Sequence, residues 1–335
     1  MPVYLGIDVG GTKTHALLAD EHGNVLGMGC AGPGNHEGVG YDGLTRAMKE
    51  ALEGALTQSG VRKEDIAGAG FGIAGYDFPA ERQPTLESIA ALGLSCPVEA
   101  VNDVVIGLIA GTSEGWGVVI DAGTGNNVRA RTRDGREGWV TGCGGLFGEY
   151  GGATDIVYRA VQAISHHWST RGPATRLSEA FMQAFDAPDL TALIEGIALE
   201  KYPLSAELAR LVFEVAYQED EVAREVIQWT ARELGETTKA VIRQVNLQDE
   251  TFEVVLIGSV FKGGPLFTEP LMQTIQEFAP RAMFHALQAP PVIGAVLLGM
   301  EQAGEMAFPA TRKRLVESAF TFLKNSLNAD PFPCN

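Results

Sequence analysis

Short apolar, β-branched runs alternate along this chain with glycine-rich turns and with amphipathic stretches of helical period. Tyr4-Leu5-Gly6-Ile7-Asp8 reads as a strand, followed by the turn Val9-Gly10-Gly11-Thr12-Lys13-Thr14 and a second strand over residues 15–19. Asp20-Glu21-His22-Gly23-Asn24 closes that hairpin and leads into Val25-Leu26-Gly27-Met28. Leu44, Met48, Ala51, Leu52, Ala55 and Leu56 recur at helical spacing and predict a helix over residues 41–59, stopped by Gly60. Residues 69–74 read as a strand, 85–92 as a helix, 98–101 as a strand, and 103–110 as a helix opening directly from it.

Near Gly115 the same grammar starts again. Gly117-Val118-Val119-Ile120-Asp121 is a strand, Ala122-Gly123-Thr124-Gly125-Asn126-Asn127 a turn, and Val128-Arg129-Ala130-Arg131-Thr132 a second strand. Asp121 then stands where Asp8 stands in the first copy, and the repetition predicts a duplicated fold. Residues 154–246 are mostly helical and amphipathic. Residues 252–257 form a late strand that enters Gly258-Ser259-Val260-Phe261-Lys262-Gly263-Gly264. Residues 291–303 read as a buried helix and 312–327 as a terminal one. Strands alternating with helices predict α/β architecture. No low-complexity linker parts the halves, which points to a built-in hinge near residues 112–117.

Composition narrows the function. The chain has 335 residues, enough for two domains, and 45% hydrophobic with 20% charged residues is a globular balance. Forty-two acids against 25 Lys and Arg give a formal charge of −17, which disfavours nucleic acid and anionic membrane as partners. No apolar stretch is long enough to span a bilayer, and the start lacks a basic export signal. Cys30, Cys96, Cys143 and Cys334 are scattered without a Cys-x-x-Cys spacing. They suggest idle thiols in a reducing cytoplasm.

The glycine turns carry the chemistry. Glycine lets backbone amides approach a phosphate closely, and threonine hydroxyls add donors. In the first turn Gly10, Gly11, Thr12, Lys13 and Thr14 are candidate phosphate contacts, with Asp8 at the strand end placed for Mg²⁺. An ordinary hairpin, with glycines present only to allow positive φ, is the plain alternative for one such turn. A second turn weakens that alternative. Thr124, Gly125 and Asn126 make the second clamp, and Gly258 with Ser259 a nucleoside contact.

Taken in order, these segments resemble the actin, heat-shock chaperone and sugar kinase superfamily, and within it the BadF/BadG/BcrA/BcrD ATPase family. The resemblance rests on Gly6-Ile7-Asp8-Val9-Gly10-Gly11-Thr12-Lys13-Thr14, Gly32-Pro33-Gly34-Asn35-His36, Gly72-Ile73-Ala74-Gly75 and Val101-Asn102-Asp103. Gly123-Thr124-Gly125-Asn126-Asn127, Gly142-Cys143-Gly144-Gly145 and Ile257-Gly258-Ser259-Val260 complete it. It implies two ribonuclease H-like, actin-like ATPase domains flanking a central ATP and sugar cleft. The first would be residues 1–114 completed by helices within 291–327, and the second residues 115–290 with a helical insertion. It implies ATP and Mg²⁺ as cofactors, a homodimer, and phosphorylation of an amino sugar, N-acetylglucosamine foremost, at its 6-hydroxyl. Glucosamine, glucose and N-acetylmuramic acid are the alternative substrates. Asn35, His36, Gly75, Asp103, Gly145 and Glu149 would hold the sugar, Asp103 would be the catalytic base, and Asp8 or Asp121 would organise the metal. The chain departs from the pattern where Cys143 stands in place of tryptophan, Glu149 in place of aspartate and Tyr150 in place of a second acid.

Competing motifs are weaker. Gly70-Phe71-Gly72-Ile73-Ala74-Gly75 matches the dinucleotide fingerprint literally, but its glycines sit inside the apolar run and Tyr76-Asp77-Phe78-Pro79 follows as a loop. His166-His167-Trp168 reads as a helix end, since neighbours on a helix point about 100° apart. An activator ATPase that drives electrons needs paired cysteines at an interface, which this spacing does not offer. An actin-like switch without substrate has no use for Asn35 or Asp103 in its cleft.

Overall fold

The computed structural model describes residues 1–305 and 309–329, with side chains through residue 322. Ten strands form two five-stranded sheets among the described residues. The first holds β1 (Val3–Val9), β2 (Thr14–Asp20), β3 (Val25–Ala31), β4 (Ile66–Ile73) and β5 (Val98–Asn102), in the order β3-β2-β1-β4-β5. The second holds β6 (Gly117–Ala122), β7 (Asn126–Arg131), β8 (Glu137–Trp139), β9 (Phe252–Ile257) and β10 (Ala282–Ala286), in the order β10-β9-β6-β7-β8. Each sheet has a central strand joined to the edge by two antiparallel pairings on one side and two parallel pairings on the other. The second sheet is therefore a topological copy of the first, as the repeat in the sequence predicts.

Helices fill equivalent places in the two copies. α1 (His36–Ser59), α2 (Arg82–Ala90) and α3 (Asp103–Gly111) belong to the first half. Between β8 and β9 the second half inserts α4 (Ala153–Trp168), α5 (Leu177–Ala184), α6 (Leu190–Ala198), α7 (Ala209–Tyr217) and α8 (Glu221–Val245). α9 (Pro265–Gln276), α10 (Val292–Gln302) and α11 (Pro309–Ala329) follow. The helix predicted over residues 41–59 starts earlier, at His36, and its backbone breaks at Gly40 (φ 69°), so the predicted segment is the part after the break. His166, His167 and Trp168 close α4, as their spacing suggests.

The last helix of each half reaches across to the other. Val104 and Leu108 of α3 pack with Val119 and Val255 of the second sheet. Val292, Val296 and Leu297 of α10 pack with Tyr4 and Leu17 of the first sheet, and Leu315 and Ala319 of α11 join that cluster. A methyl group on Gly6 or Gly70 would collide with the α10 backbone, and one on Gly294 with that of α3. These glycines are small so that helix and sheet can touch. That is the physical reason the dinucleotide-like run fails as a fingerprint: inside β4, Gly70 lies against the α10 backbone and Gly72 against the Ile106 side chain. Cys96 and Cys143 carry no disulfide, and Cys334 lies outside the described residues. No helix among the described residues is long and apolar enough to cross a membrane.

Candidate active site

The two glycine turns occupy the same place in the two sheets, each joining a central strand to its antiparallel neighbour. Both are closed by a short backbone bond, Gly10 N–H to the Lys13 carbonyl and Gly123 N–H to the Gly125 carbonyl, each 2.9 Å. The second is also anchored to α4, because Ala153 and Thr154 donate to the carbonyls of Gly123 and Thr124. Gly258, with φ 110°, packs its Cα on the end of β6 so tightly that a side chain would strike Ala122. That contact sets Gly258 and Ser259 beside the second turn.

Positive φ, the reason a plain hairpin would give for these glycines, is absent. Gly10, Gly11, Gly123 and Gly125 are absent from the glycines with positive φ. A methyl group on Gly11, Gly123 or Gly125 would meet nothing within 4 Å. Neither backbone strain nor crowding from the chain itself calls for glycine there. The space beside them lies open, and the amides of Gly11, Thr12, Thr124 and Gly125 enter no hydrogen bond among the described residues. Thr14 departs from its predicted role. It begins β2, is fully buried, and its hydroxyl donates to the Gly32 carbonyl at 3.0 Å, so it holds the turn and offers a ligand nothing.

Between the turns lies a group of acids. Asp8 and Asp121 are each the second-last residue of a central strand. Asp103 is the first residue of α3, and its neighbour Asn102 is the N-cap, accepting from the Val104 amide. Each of the three keeps some surface at the cleft, while its carboxyl is sunk far enough that charge is disfavoured. Burial pushes Asp8 up to about 7 and Asp121 up to about 6. Burial pushes Asp103 up to about 7, with repulsion from Asp8, Asp121 and Asp77 adding to it. Hard carboxylate oxygens in such a setting suit a divalent cation. Among the described residues no three His, Cys, Asp or Glu side chains form a metal cage. Asp8 and Asp121 offer two carboxyls, and Mg²⁺ takes one or two carboxylates and completes its shell with phosphate oxygens and water.

The predicted sugar residues fall into two groups. Asn35 caps α1, its carbonyl oxygen accepting from the Glu37 amide at 2.9 Å. Gly75 (φ 80°) lies so close that a side chain there would strike Asn35 and press on His36. His36 stacks on Tyr41 and faces Glu81, leaving its Nδ1 buried without a partner. The second group is the loop ahead of α4. Glu149 is buried there, and its carboxylate accepts from the Thr141 amide and hydroxyl, both at 2.8 Å. It braces the loop that carries Gly145, and its own carbonyl accepts from the buried Asn126 side chain. Leu146 and Phe147 stand exposed at the tip of that loop. A cavity of about 700 Å³ runs from Thr124 and Gly125 past Gly145 to Tyr150 and Trp229.

Two residues, Asp77 and Arg129, escaped the sequence reading as site residues. Asp77, in the loop after β4, accepts from Arg129 of β7 at 2.6 Å and from Asn102 at 3.0 Å, with Asn127 at 3.4 Å. A cue was present, since Arg129 is a charge in the otherwise buried run Val128-Arg129-Ala130. Arginine is almost never fully buried without a partner.

Two copies of one strand–turn–strand sheet, with a helix of each half packed on the other and Asp8 and Asp121 close enough to repel Asp103, define an actin-like ATPase fold. Within that class the chain belongs to the BadF/BadG/BcrA/BcrD ATPase family, whose model matches residues 5–299. It is 25% identical over 305 residues to an N-acetylmuramic acid/N-acetylglucosamine kinase of Clostridium acetobutylicum, covering 90% of this chain and 99% of that one. It is 26% identical over 311 residues to an N-acetyl-D-glucosamine kinase of Dictyostelium discoideum, covering 89% and 98%. The crystal structure of a protein provisionally assigned as an N-acetylglucosamine kinase from Chromobacterium violaceum superposes with a TM-score of 0.63 at 25% identity, over 89% of this chain and 99% of that one.

Proposed function

We propose that the protein transfers the γ-phosphoryl group of ATP to a hydroxyl of an amino sugar, N-acetylglucosamine, at its 6-position. The observation that carries this reading is the pair of open turns at Gly11 and Gly125, whose glycines the fold itself does not require, together with a cluster of half-buried acids at the strand ends that lead into them. The kinase names of two relatives aligned over most of the chain support the choice of substrate.

In this reading Gly10, Gly11, Thr12 and Lys13 hold the β- and γ-phosphates from one side, and Thr124 with Gly125 from the other. Gly258 and Ser259 meet the nucleoside. Asn35, His36 and Gly75 line one edge of the sugar, and Gly145, on the loop braced by Glu149, lines the other. Asp8 and Asp121 would hold Mg²⁺, which when bound offsets charge on the phosphate oxygens. Asp103 accepts the hydroxyl proton as the sugar oxygen bonds to the γ-phosphorus and the bond to the ADP oxygen breaks. Positioning is the main task of the remaining residues.

We take residues 1–114 with 291–327 as one lobe and 115–290 as the other, closing about residues 112–117. The packing of α10 and α11 against Tyr4 and Leu17 supports that division. The same reading makes the protein a cytoplasmic homodimer. A panel of N-acetylglucosamine, glucosamine, glucose and N-acetylmuramic acid with Mg-ATP tests the assignment through ADP release. N-acetylglucosamine is expected to stimulate it most, and stimulation by none of the four would refute the reading.

A further inference from the structure

One carboxylate oxygen gathers groups from both halves of the molecule. Asp77 Oδ1, on the first half, accepts from Arg129 Nη2 of β7 at 2.6 Å and from Asn102 Nδ2 at 3.0 Å. Asn102 in turn caps α3 through the Val104 amide, and Asp103 follows it directly. The next residue of the loop repeats the crossing, because Phe78 meets Trp139 of β8 edge to face with ring centroids 5.9 Å apart. The Arg129 guanidinium lies 5.5 Å from the same Trp139 ring, so ion pair and ring pair are joined. A cavity of about 480 Å³ lies beside them, bordered by β5, β8 and α10, so these contacts are discrete points and not part of a packed seam.

The energetics favour a geometric role over a stabilising one. The Arg129 side chain is 4% exposed and that of Asp77 18%. Taking such a pair out of water costs about as much as its attraction returns, and its best-attested use is to fix one arrangement over others. Arg129 Nε is also buried without a partner, which a contact selected for stability would not leave. The path from Arg129 through Asp77 and Asn102 ends one residue from the proposed base.

We infer that Asp77 and Arg129 form a latch across the cleft that sets the Asp103 carboxylate relative to the second glycine turn, making both of them positioning residues for phosphoryl transfer. The inference rests on the kinase reading above, and its test separates the two. Arg129→Met keeps the bulk and removes the charge, whereas Arg129→Lys restores the charge on a single nitrogen without the planar guanidinium fork. With Arg129→Met, kcat is expected to fall by at least roughly tenfold while KM for ATP stays within about twofold. Arg129→Lys is expected to recover a part of that loss. Amide exchange should quicken at residues 102–105 and 127–131 in Arg129→Met and stay unchanged in α8. Unaltered kcat in folded Arg129→Met, or faster exchange spread evenly over all helices, would overturn the latch. Should Arg129→Met not fold, Asp77→Asn is measured against the same outcomes. A parent protein that phosphorylates no sugar refutes the kinase reading alone. The exchange pattern then judges the latch, a local rise supporting it and no rise overturning it.

Discussion

Asp8 and Asp121 are the same position in two copies of one unit. Each lies one residue before the end of a central strand, opposite a residue of the adjoining antiparallel strand, His15 for Asp8 and Asn127 for Asp121. The duplication thereby gives two carboxyls, each leading into an open turn, and both lie near enough to Asp103 of α3 to repel it.

The open space at the turns gives the first prediction. A Cβ at Gly125 meets nothing within 4 Å, so Gly125→Val should fold with an unchanged melting temperature. Its isopropyl group would occupy the space assigned to phosphate, weakening nucleotide binding by at least roughly tenfold, or about 1.4 kcal/mol. Calorimetric titration with ATP measures it. Normal affinity in the folded variant would make the second turn a simple hairpin.

Asp103→Asn tests the proposed base. Asn102 already caps α3, so the substitution leaves the helix start intact. Turnover should drop by at least roughly 10²-fold with ATP binding retained, in line with loss of a general base. A variant retaining more than roughly a tenth of the parent rate would assign proton removal elsewhere.

The pH dependence has a definite sign. Asp8, Asp103 and Asp121 have folded-state pKa values raised above the ordinary carboxylate value of 3.8, to about 7, 7 and 6. Between 3.8 and those values the folded protein binds more protons than the unfolded chain, so these groups make stability fall as pH rises through that window. Without metal or nucleotide, the melting temperature should decline from pH 5.5 toward pH 7.5, and less steeply in Asp103→Asn. Equal slopes in the two proteins would contradict this. In the same window kcat/KM should climb with pH, because the base must be ionised.

Much of the first sheet and the turns was legible in the sequence, because strand patterns and glycine punctuation are local. The duplication was visible in the strand–turn–strand units around Asp8 and Asp121, and the full sheet order bears it out. β8 was not legible because 3 residues carry no period, and β10 because its run Ala282-Met283-Phe284-His285-Ala286 holds no β-branched residue. Thr14 looked like a phosphate contact beside Thr12, but burial against Gly32 is a tertiary fact. The Asp77–Arg129 pair joins residues far apart in the chain, and only the stray charge in β7 hinted at it.

Gly70 supplies a stability prediction. A methyl group there would press into the α10 backbone at Ala295, a contact that rigid elements cannot relieve cheaply. Gly70→Ala should lower unfolding free energy by about 1–3 kcal/mol, the usual range for overpacking. Urea denaturation reads it, and a loss below about 0.5 kcal/mol would mean that α10 shifts freely on the sheet.

The central claim is that a phosphoryl group moves from ATP to an amino sugar. Mass spectrometry of N-acetylglucosamine incubated with the protein and Mg-ATP tests it most directly. The account predicts a sugar product heavier by one phosphoryl group, formed in step with ADP and missing when Asp103→Asn replaces the parent. ADP released at the same rate with and without sugar, and no phosphorylated sugar, would contradict it.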